Sequence, residues 1–562
     1  MMKRRRTAIL AVFAMTVAAS NAYALTCAEL VGAVIPASAF SLPTMGANIT
    51  SAVAVAATSP GPTAVGGYCK VQGAIHPVDP VAPDIIFQVN LPDSWNGKAL
   101  QFGGGGYNGT LAGAAAGGTG NIPAGPIDRP VPLGRGYATF ASDSGHQAAP
   151  PYSTTVASLD ARFGLNDEAL ENFSYAQLKK TRDAAIHIIS SWYANLPTRT
   201  YFAGGSTGGR EAMAVTQLWP RFYDGAISWY PAWNAASLDL QFGRISRAFA
   251  APGAYPNEAK KKLLYDAVMA ACDGLDGLND GIVSHVAACR FDPRSLRCPG
   301  GADTADSCLS DAQISAYNVY NTAIQFGYAL GSGEKQYPGF NIYAGADTRA
   351  LLQLNLDPPA PLASPPAGSE ILRMPYLYNF WDGWIKYFVT RDPSFNSLLF
   401  DPLNPGVYQD RVAELTELQD INDTNLDAFA ARGGKLLLAH GAADALVSTR
   451  ATEDYYVRLV DRYGKGAKGV RSFVRYYEAP GFGHAAGVFR PGWGSLKALE
   501  DWVEGGIAPA DQVAVDTNAA TLGRARPLCE YPEWPRYNGY GDPNSAASFK
   551  CLKAPGFQGY DD

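Results

Sequence analysis

Residues 201–209 read Tyr201-Phe202-Ala203-Gly204-Gly205-Ser206-Thr207-Gly208-Gly209, and the order of properties within them sets the expected fold. A β-prone run, Arg199–Ala203, meets Gly204-x-Ser206-x-Gly208 and passes directly into a helix-competent segment, Gly209-Arg210-Glu211-Ala212-Met213. A serine at the tip of a strand-to-helix turn needs small neighbours, because the turn is too sharp to house a Cβ on either side. Such a turn exposes the hydroxyl and directs the N–H of the next residue, Thr207, at a developing oxyanion. In a chain with 59 glycines the pattern alone reads equally as an ordinary glycine-rich turn, so its surroundings decide.

Before it, Tyr175–Asn195 carries Leu178, Ala185, Ile188, Ile189 and Trp192 on one face, with Lys179, Lys180, Arg182 and Asp183 elsewhere. That spacing predicts an amphipathic helix, ended by Leu196-Pro197. Further back, Val71–Ile75, Ile85–Pro92, Ala99–Phe102 and Tyr137–Ala141 read as strands. The third of these runs into Gly103-Gly104-Gly105-Gly106, whose N–H groups can approach a ligand oxygen closely. The cluster lacks the Gly-Lys-Ser/Thr ending of a phosphate loop, which favours a second oxyanion donor at Gly105 or Gly106.

Beyond the serine, two more strands are predicted at 434–439 and 472–477. The first leads to His440-Gly441-Ala442-Ala443-Asp444 and the second to Pro480-Gly481-Phe482-Gly483-His484. The order Ser206, Asp444, His484 is that of an α/β-hydrolase triad. An α/β fold with an open parallel sheet follows, its first part at 25–232 and its second at 432–562. Residues 233–431 show no strand–helix alternation and include a proline-rich run, 357–366; they are expected to form an inserted lid over the active face.

The N-terminus has the pattern of a cleaved export signal, residues 1–24: Lys3-Arg4-Arg5-Arg6, an apolar run from Ala8 to Ala19, and Ala22-Tyr23-Ala24. The run is too short to span a membrane. Its removal leaves 41 basic against 51 acidic residues, a charge that argues against nucleic acid as a partner. Export to an oxidising compartment makes disulfides the default for the eight cysteines, and their clustering suggests the pairs Cys27–Cys69, Cys272–Cys289, Cys298–Cys308 and Cys529–Cys551. Within 272–282, Cys-Asp-Gly-Leu-Asp-Gly-Leu-Asn-Asp-Gly-Ile sets three carboxylates on a glycine-flexed loop, suited to a hard cation such as calcium. It is not an EF-hand, and on spacing alone it reads equally as a solvated acidic turn.

Together these motifs resemble the tannase/feruloyl esterase family along essentially the whole chain after the signal. The likeness includes Trp95-Asn96-Gly97, Gly204–Gly209 with Arg210-Glu211, and Cys272–Ile282. It continues through Tyr387-Phe388-x-x-Arg391-Asp392-Pro393, His440-Gly441-x-x-Asp444, Pro480-Gly481-x-x-His484 and Arg526-Pro527-Leu528-Cys529, and ends in Tyr531-Pro532 and Phe549-x-Cys551. The resemblance implies an exported serine esterase acting on an aromatic (feruloyl, galloyl or terephthaloyl) ester. It also implies structural calcium held by Asp273, Asp276 and Asp280 with the carbonyls of Leu278 and Ile282, and it supports the neighbour disulfides. In the family a disulfide usually joins the residue before the serine to the residue after the histidine; here those positions are Gly205 and Ala485, so packing must hold the two turns.

For the substrate, Trp381, Trp384, Tyr387 and Phe388 are candidates to stack on an aromatic acyl group, and Lys386 or Arg391 to meet a carboxylate. The same side chains read equally as lid core. His440 is expected to border the pocket. Two other functions fit parts of the pattern: a serine peptidase or amidase on the same scaffold, and a non-catalytic exported polyphenol- or carbohydrate-binding protein.

Overall fold

Ten strands make one sheet: β1 (Val34–Ile35), β2 (Ala47–Val55), β3 (Tyr68–Ile75), β4 (Ile85–Pro92), β5 (Lys98–Phe102), β6 (Ala138–Ser142), β7 (Arg199–Gly205), β8 (Gly225–Trp229), β9 (Lys435–Gly441) and β10 (Val474–Ala479). The structure is a computed structural model that describes residues 26–61, 64–111, 131–150, 152, 156–351, 374–464, 466 and 468–553. The expected signal, 1–24, and the proline-rich run, 357–366, lie outside the described residues. Spatial order is β1-β2-β3-β4-β6-β5-β7-β8-β9-β10. The strands from β1 to β4 pair antiparallel, as do β4 and β6. From β6 onward every pairing is parallel.

Parallel strands covered on both faces become continuous apolar runs, and β8 is buried at all five positions. Alternate residues divide between two cores. Phe202, Ala226, Leu436 and Leu438 face one side, while Tyr201, Ile227, Leu437 and Ala439 meet Leu496, Leu499 and Trp502 of helix Ser495–Gly505 on the other. β1, β2 and β8 have no counterpart in the sequence expectations. β8 reads Gly-Ala-Ile-Ser-Trp, with too little β-branched character to stand out before its neighbours bury it.

The expected helix at 175–195 is a π turn, Asn172–Ala176, followed by α1 (Gln177–Tyr193). Lys179 and Lys180 are buried rather than solvated. Lys179 Nζ meets Asp183 Oδ2 at 2.7 Å, and Lys180 Nζ meets Asn172 Oδ1 at 2.9 Å, so each charge enters with a partner. After β7 comes α2 (Thr207–Leu218).

Between β8 and β9 the chain makes a long excursion, in which no described strand joins the main sheet. Its helices Ala235–Phe249, Tyr376–Gly383 and Gln409–Gln419 share one continuous core with the face that holds Phe202. Disulfides join Cys27–Cys69, Cys272–Cys289, Cys298–Cys308 and Cys529–Cys551, and no cysteine is free. Among the described residues no helix is long and apolar enough to cross a membrane.

Candidate active site

Ser206 sits between β7 and α2 with φ 61° and ψ −124°, a conformation rarely tolerated outside glycine. Its N–H donates to the Trp229 carbonyl at 3.0 Å, and its own carbonyl accepts from Arg210 N–H at 3.0 Å and Ala232 N–H at 3.1 Å. The flanking loops touch backbone to backbone. A Cβ on Gly208 would lie 2.7 Å from the Gly104 carbonyl oxygen, and one on Gly103 only 2.5 Å from Gly208 Cα.

From this turn a hydrogen-bonded chain runs through three loops. Ser206 Oγ lies 2.8 Å from His484 Nε2, and His484 Nδ1 lies 2.8 Å from Asp444 Oδ2. The other oxygen of Asp444 accepts the N–H groups of Leu446 at 2.8 Å and Val447 at 2.9 Å. Burial alone would raise this carboxyl. The charge on His484, hydrogen bonds from His440 and His484, and the charge on His440 outweigh it and hold Asp444 well below the usual aspartate range. Tyr230 packs edge-on against His484, with ring centroids 4.8 Å apart.

Thr207 occupies the first helical position, so its N–H has no intrahelical acceptor. Its hydroxyl donates to the Gly106 carbonyl at 2.7 Å, and Gly208 N–H donates to the Gly104 carbonyl at 3.1 Å, locking the glycine loop against the helix start. Gly105 and Gly106 thereby stand beside Thr207. Glu211, one turn into α2, accepts Gly104 N–H and Asn108 Nδ2, each at 2.9 Å, and Gln177 Nε2 at 3.2 Å. Burial pushes its carboxyl up, against the opposing pull of Arg210 and these donors. That role in holding the loop is not legible in the sequence, where Glu211 stands only as part of the Arg210-Glu211 motif.

The pocket at Ser206 is lined by Tyr107, Phe173, Leu238, Phe242, Phe380 and Leu446, with Asp239 and Gln419 as its polar side chains beside Thr207. None of the substrate residues expected from the sequence, Trp381 and Tyr387 included, is among those that line it. His440 is fully buried behind Asp444; it contacts Thr452 Oγ1 at 2.8 Å and the Val447 carbonyl at 3.1 Å, and does not border the pocket. Trp384 stands one layer back, donating to the Gln419 amide oxygen at 3.1 Å. Phe388 packs on Phe163 and Tyr107, at 5.3 and 5.4 Å. Lys386 is committed to Asp382 at 2.9 Å and Arg391 to Asp167 near the surface, so neither cation faces the pocket. No local pattern marks Asp239, Phe242 or Phe380 as pocket residues, because their segments are apolar on several faces.

On the acidic loop, Asp273 accepts N–H groups from Gly281 at 3.0 Å and Ile282 at 3.1 Å. Asp276 accepts Leu278 N–H at 3.0 Å, and Asp280 pairs with Arg526. Among the described residues no three ligating side chains converge on one point. The N–H groups of Leu278 and Ile282 both donate to these carboxylates. The donor chemistry suits a hard cation, three carboxylates on one curled loop, but their arrangement here is closed by hydrogen bonds.

The model for tannase and feruloyl esterase matches residues 69–552. The chain belongs to the tannase and feruloyl esterase family. It is 39% identical to an uncharacterized esterase of Agrobacterium fabrum, over 93% of this chain and 92% of the relative. It is 31% identical to mono(2-hydroxyethyl) terephthalate hydrolase of Piscinibacter sakaiensis, over 87% and 85%. The fold is that of feruloyl esterase B from Aspergillus oryzae, with a TM-score of 0.72 at 22% identity, covering 91% of this chain and 98% of that one. This family member is a carboxylic ester hydrolase with an α/β-hydrolase fold, acting on a small-molecule ester.

Proposed function

We propose that this esterase hydrolyses esters of aromatic acids (feruloyl, galloyl or terephthaloyl in kind) through an acyl-enzyme on Ser206. The observation that carries the reading is the Ser206–His484–Asp444 chain, with 2.8 Å at both links, opening on a pocket walled by Tyr107, Phe173, Phe242 and Phe380. His484 Nε2 takes the proton from Oγ as that oxygen attacks the ester carbonyl; Asp444 keeps Nδ1 protonated and stabilises the imidazolium. The N–H of Thr207, with that of Gly105 or Gly106, receives the oxyanion, each such donor contributing about 3–4 kcal/mol. His484 then protonates the leaving alcohol, and water frees the acid by the same steps in reverse.

Residues 233–431 act as the lid in this reading, supported by the helices of that segment that supply Leu238, Asp239, Phe242, Phe380 and Gln419 to the pocket. Calcium on the 273–282 loop is also part of the proposal, as a structural ion with no step of the reaction passing through it. Export rests on the N-terminal pattern and the four disulfides.

The test is a panel of ferulate, gallate and terephthalate monoesters against the protein and Ser206→Ala. Hydrolysis of at least one, reduced about 10⁴-fold or more in the variant with its circular dichroism unchanged, is expected. Full activity in Ser206→Ala, or no aromatic ester cleaved, overturns it. For calcium, a melting temperature that rises with the ion and falls with chelator is expected; an identical melt in both removes the ion from the account.

A further inference from the structure

Among the described residues Asp239 is the one carboxylic acid on the wall of the Ser206 pocket. It lies on helix Ala235–Phe249 and is only 6% exposed. A buried carboxyl costs stability unless donors meet it. Here the nearest polar groups bond elsewhere. The Tyr107 hydroxyl stands alongside, but its single proton goes to the Phe380 carbonyl at 3.0 Å. The two terminal nitrogens of the Arg210 guanidinium, the charge that would otherwise balance it, donate to the carbonyls of Phe173 at 3.1 Å, Ser174 at 3.2 Å and Gln419 at 3.3 Å rather than to Asp239. Apart from Tyr107, no donor among the described residues is set against the Asp239 carboxyl. Burial, with the nearby Asp420 adding to it, pushes that carboxyl well above the ordinary aspartate range, so it keeps its proton and can turn it to the Tyr107 oxygen. Its carbonyl oxygen is then left to accept from a bound ligand, in a pocket whose other walls are mainly rings and aliphatic groups.

We propose that Asp239 is a specificity-determining residue that accepts a hydrogen bond from a ring hydroxyl of the acyl group, so that phenolic acyl esters are preferred over unsubstituted ones. The inference rests on the aromatic-ester reading above and narrows its substrate class to hydroxylated rings. Physically, the pocket would select by leaving a buried acceptor unmet whenever the hydroxyl is missing, a stronger discrimination than apolar contact provides. Leu238 and Phe242 bracket the acid along the same helix and would hold the ring faces while Asp239 reads the edge.

The experiment compares kcat/KM for methyl 3,4-dihydroxycinnamate and methyl cinnamate in the protein, Asp239→Asn and Asp239→Leu. The expected preference for the dihydroxy ester is about ten- to a hundredfold, retained in part by Asp239→Asn, whose amide oxygen still accepts, and reduced to about threefold or less in Asp239→Leu. A general loss of structure would lower both rates and leave their ratio in place. An unchanged ratio in Asp239→Leu, or no preference in the unaltered protein, overturns the role of Asp239 while the esterase reading stands. Failure to cleave either cinnamate or any other aromatic ester overturns both. Should Asp239→Leu not fold, the inhibition constants of 3,4-dihydroxycinnamate and cinnamate on the unaltered protein decide: tighter binding of the first supports the contact, and equal binding ends it.

Discussion

At the edge of the parallel strands no covalent link joins the turns that carry Ser206 and His484, whereas the C-terminal arm is closed by Cys529–Cys551. The two regions differ in what surrounds them. β7 has six of its seven residues buried, and the histidine turn is tied in by Ala443 N–H to the Phe482 carbonyl at 3.0 Å and Phe489 N–H to the Gly481 carbonyl at 3.1 Å. The arm is a two-stranded pair, Glu533–Tyr537 with Phe549–Lys553, that buries only Pro535 and Phe549. An isolated hairpin of that kind is marginal in water. Where burial is plentiful the backbone can be held in a strained shape by packing alone; where it is scarce a cross-link substitutes.

The catalytic side should therefore be most sensitive to a single methyl group. Gly208→Ala places a Cβ against the Gly104 carbonyl, separating the two loops whose N–H groups are proposed to receive the oxyanion. A drop in kcat of roughly 10²- to 10³-fold is expected, the cost of one misplaced donor, with much of the folded structure preserved. Steady-state kinetics beside circular dichroism read this out; unimpaired turnover would break the contrast at its stronger end.

On the other side, replacing Cys529 and Cys551 together by serine opens a loop with a sequence separation of 22 residues. Stability should fall by about 3 kcal/mol, seen as a lower urea midpoint, while kcat/KM of the molecules still folded stays within about twofold. A parallel collapse of activity would show that the arm and the catalytic edge form one cooperative unit.

The smallest effect concerns the polar contacts that hold parts of the long excursion to one another. Asp420 accepts from Ser237 Oγ at 2.6 Å, Ser332 Oγ at 2.9 Å and Ala236 N–H at 3.0 Å, and burial pushes its carboxyl up to about 7. Its folded value exceeds the unfolded one, so the native state keeps a proton that the unfolded chain releases above about pH 4. The stabilisation is complete below that pH and is lost as pH rises through about 7. From pH 5 to pH 8 the melting temperature should fall a few degrees more in the unaltered protein than in Asp420→Asn. Identical slopes would mean that Asp420 does not hold its proton.

Much of the chemistry was legible along the chain because it depends on local rules. A serine between glycines after a strand, an aspartate and a histidine after later strands, and paired cysteines nearby each constrain a few neighbouring residues, and the structure brings Ser206, Asp444 and His484 into one chain. Glu211 was visible only as part of a motif. Its work is to reach back across the sheet edge to Gly104 and Asn108, more than a hundred residues away in sequence.

The amino-acid sequence by itself determined the family, the α/β-hydrolase plan and the order of the three polar residues, since turn sterics and strand patterning act over a few bonds. Tertiary structure alone decided which side chains of the excursion face the pocket. Trp384 and Phe388 went into the packing, Lys386 and Arg391 into ion pairs, and Asp239 was left beside Ser206. The reason is physical: a segment apolar on several faces carries no mark of its inner side, and only the shape of what it lands on chooses.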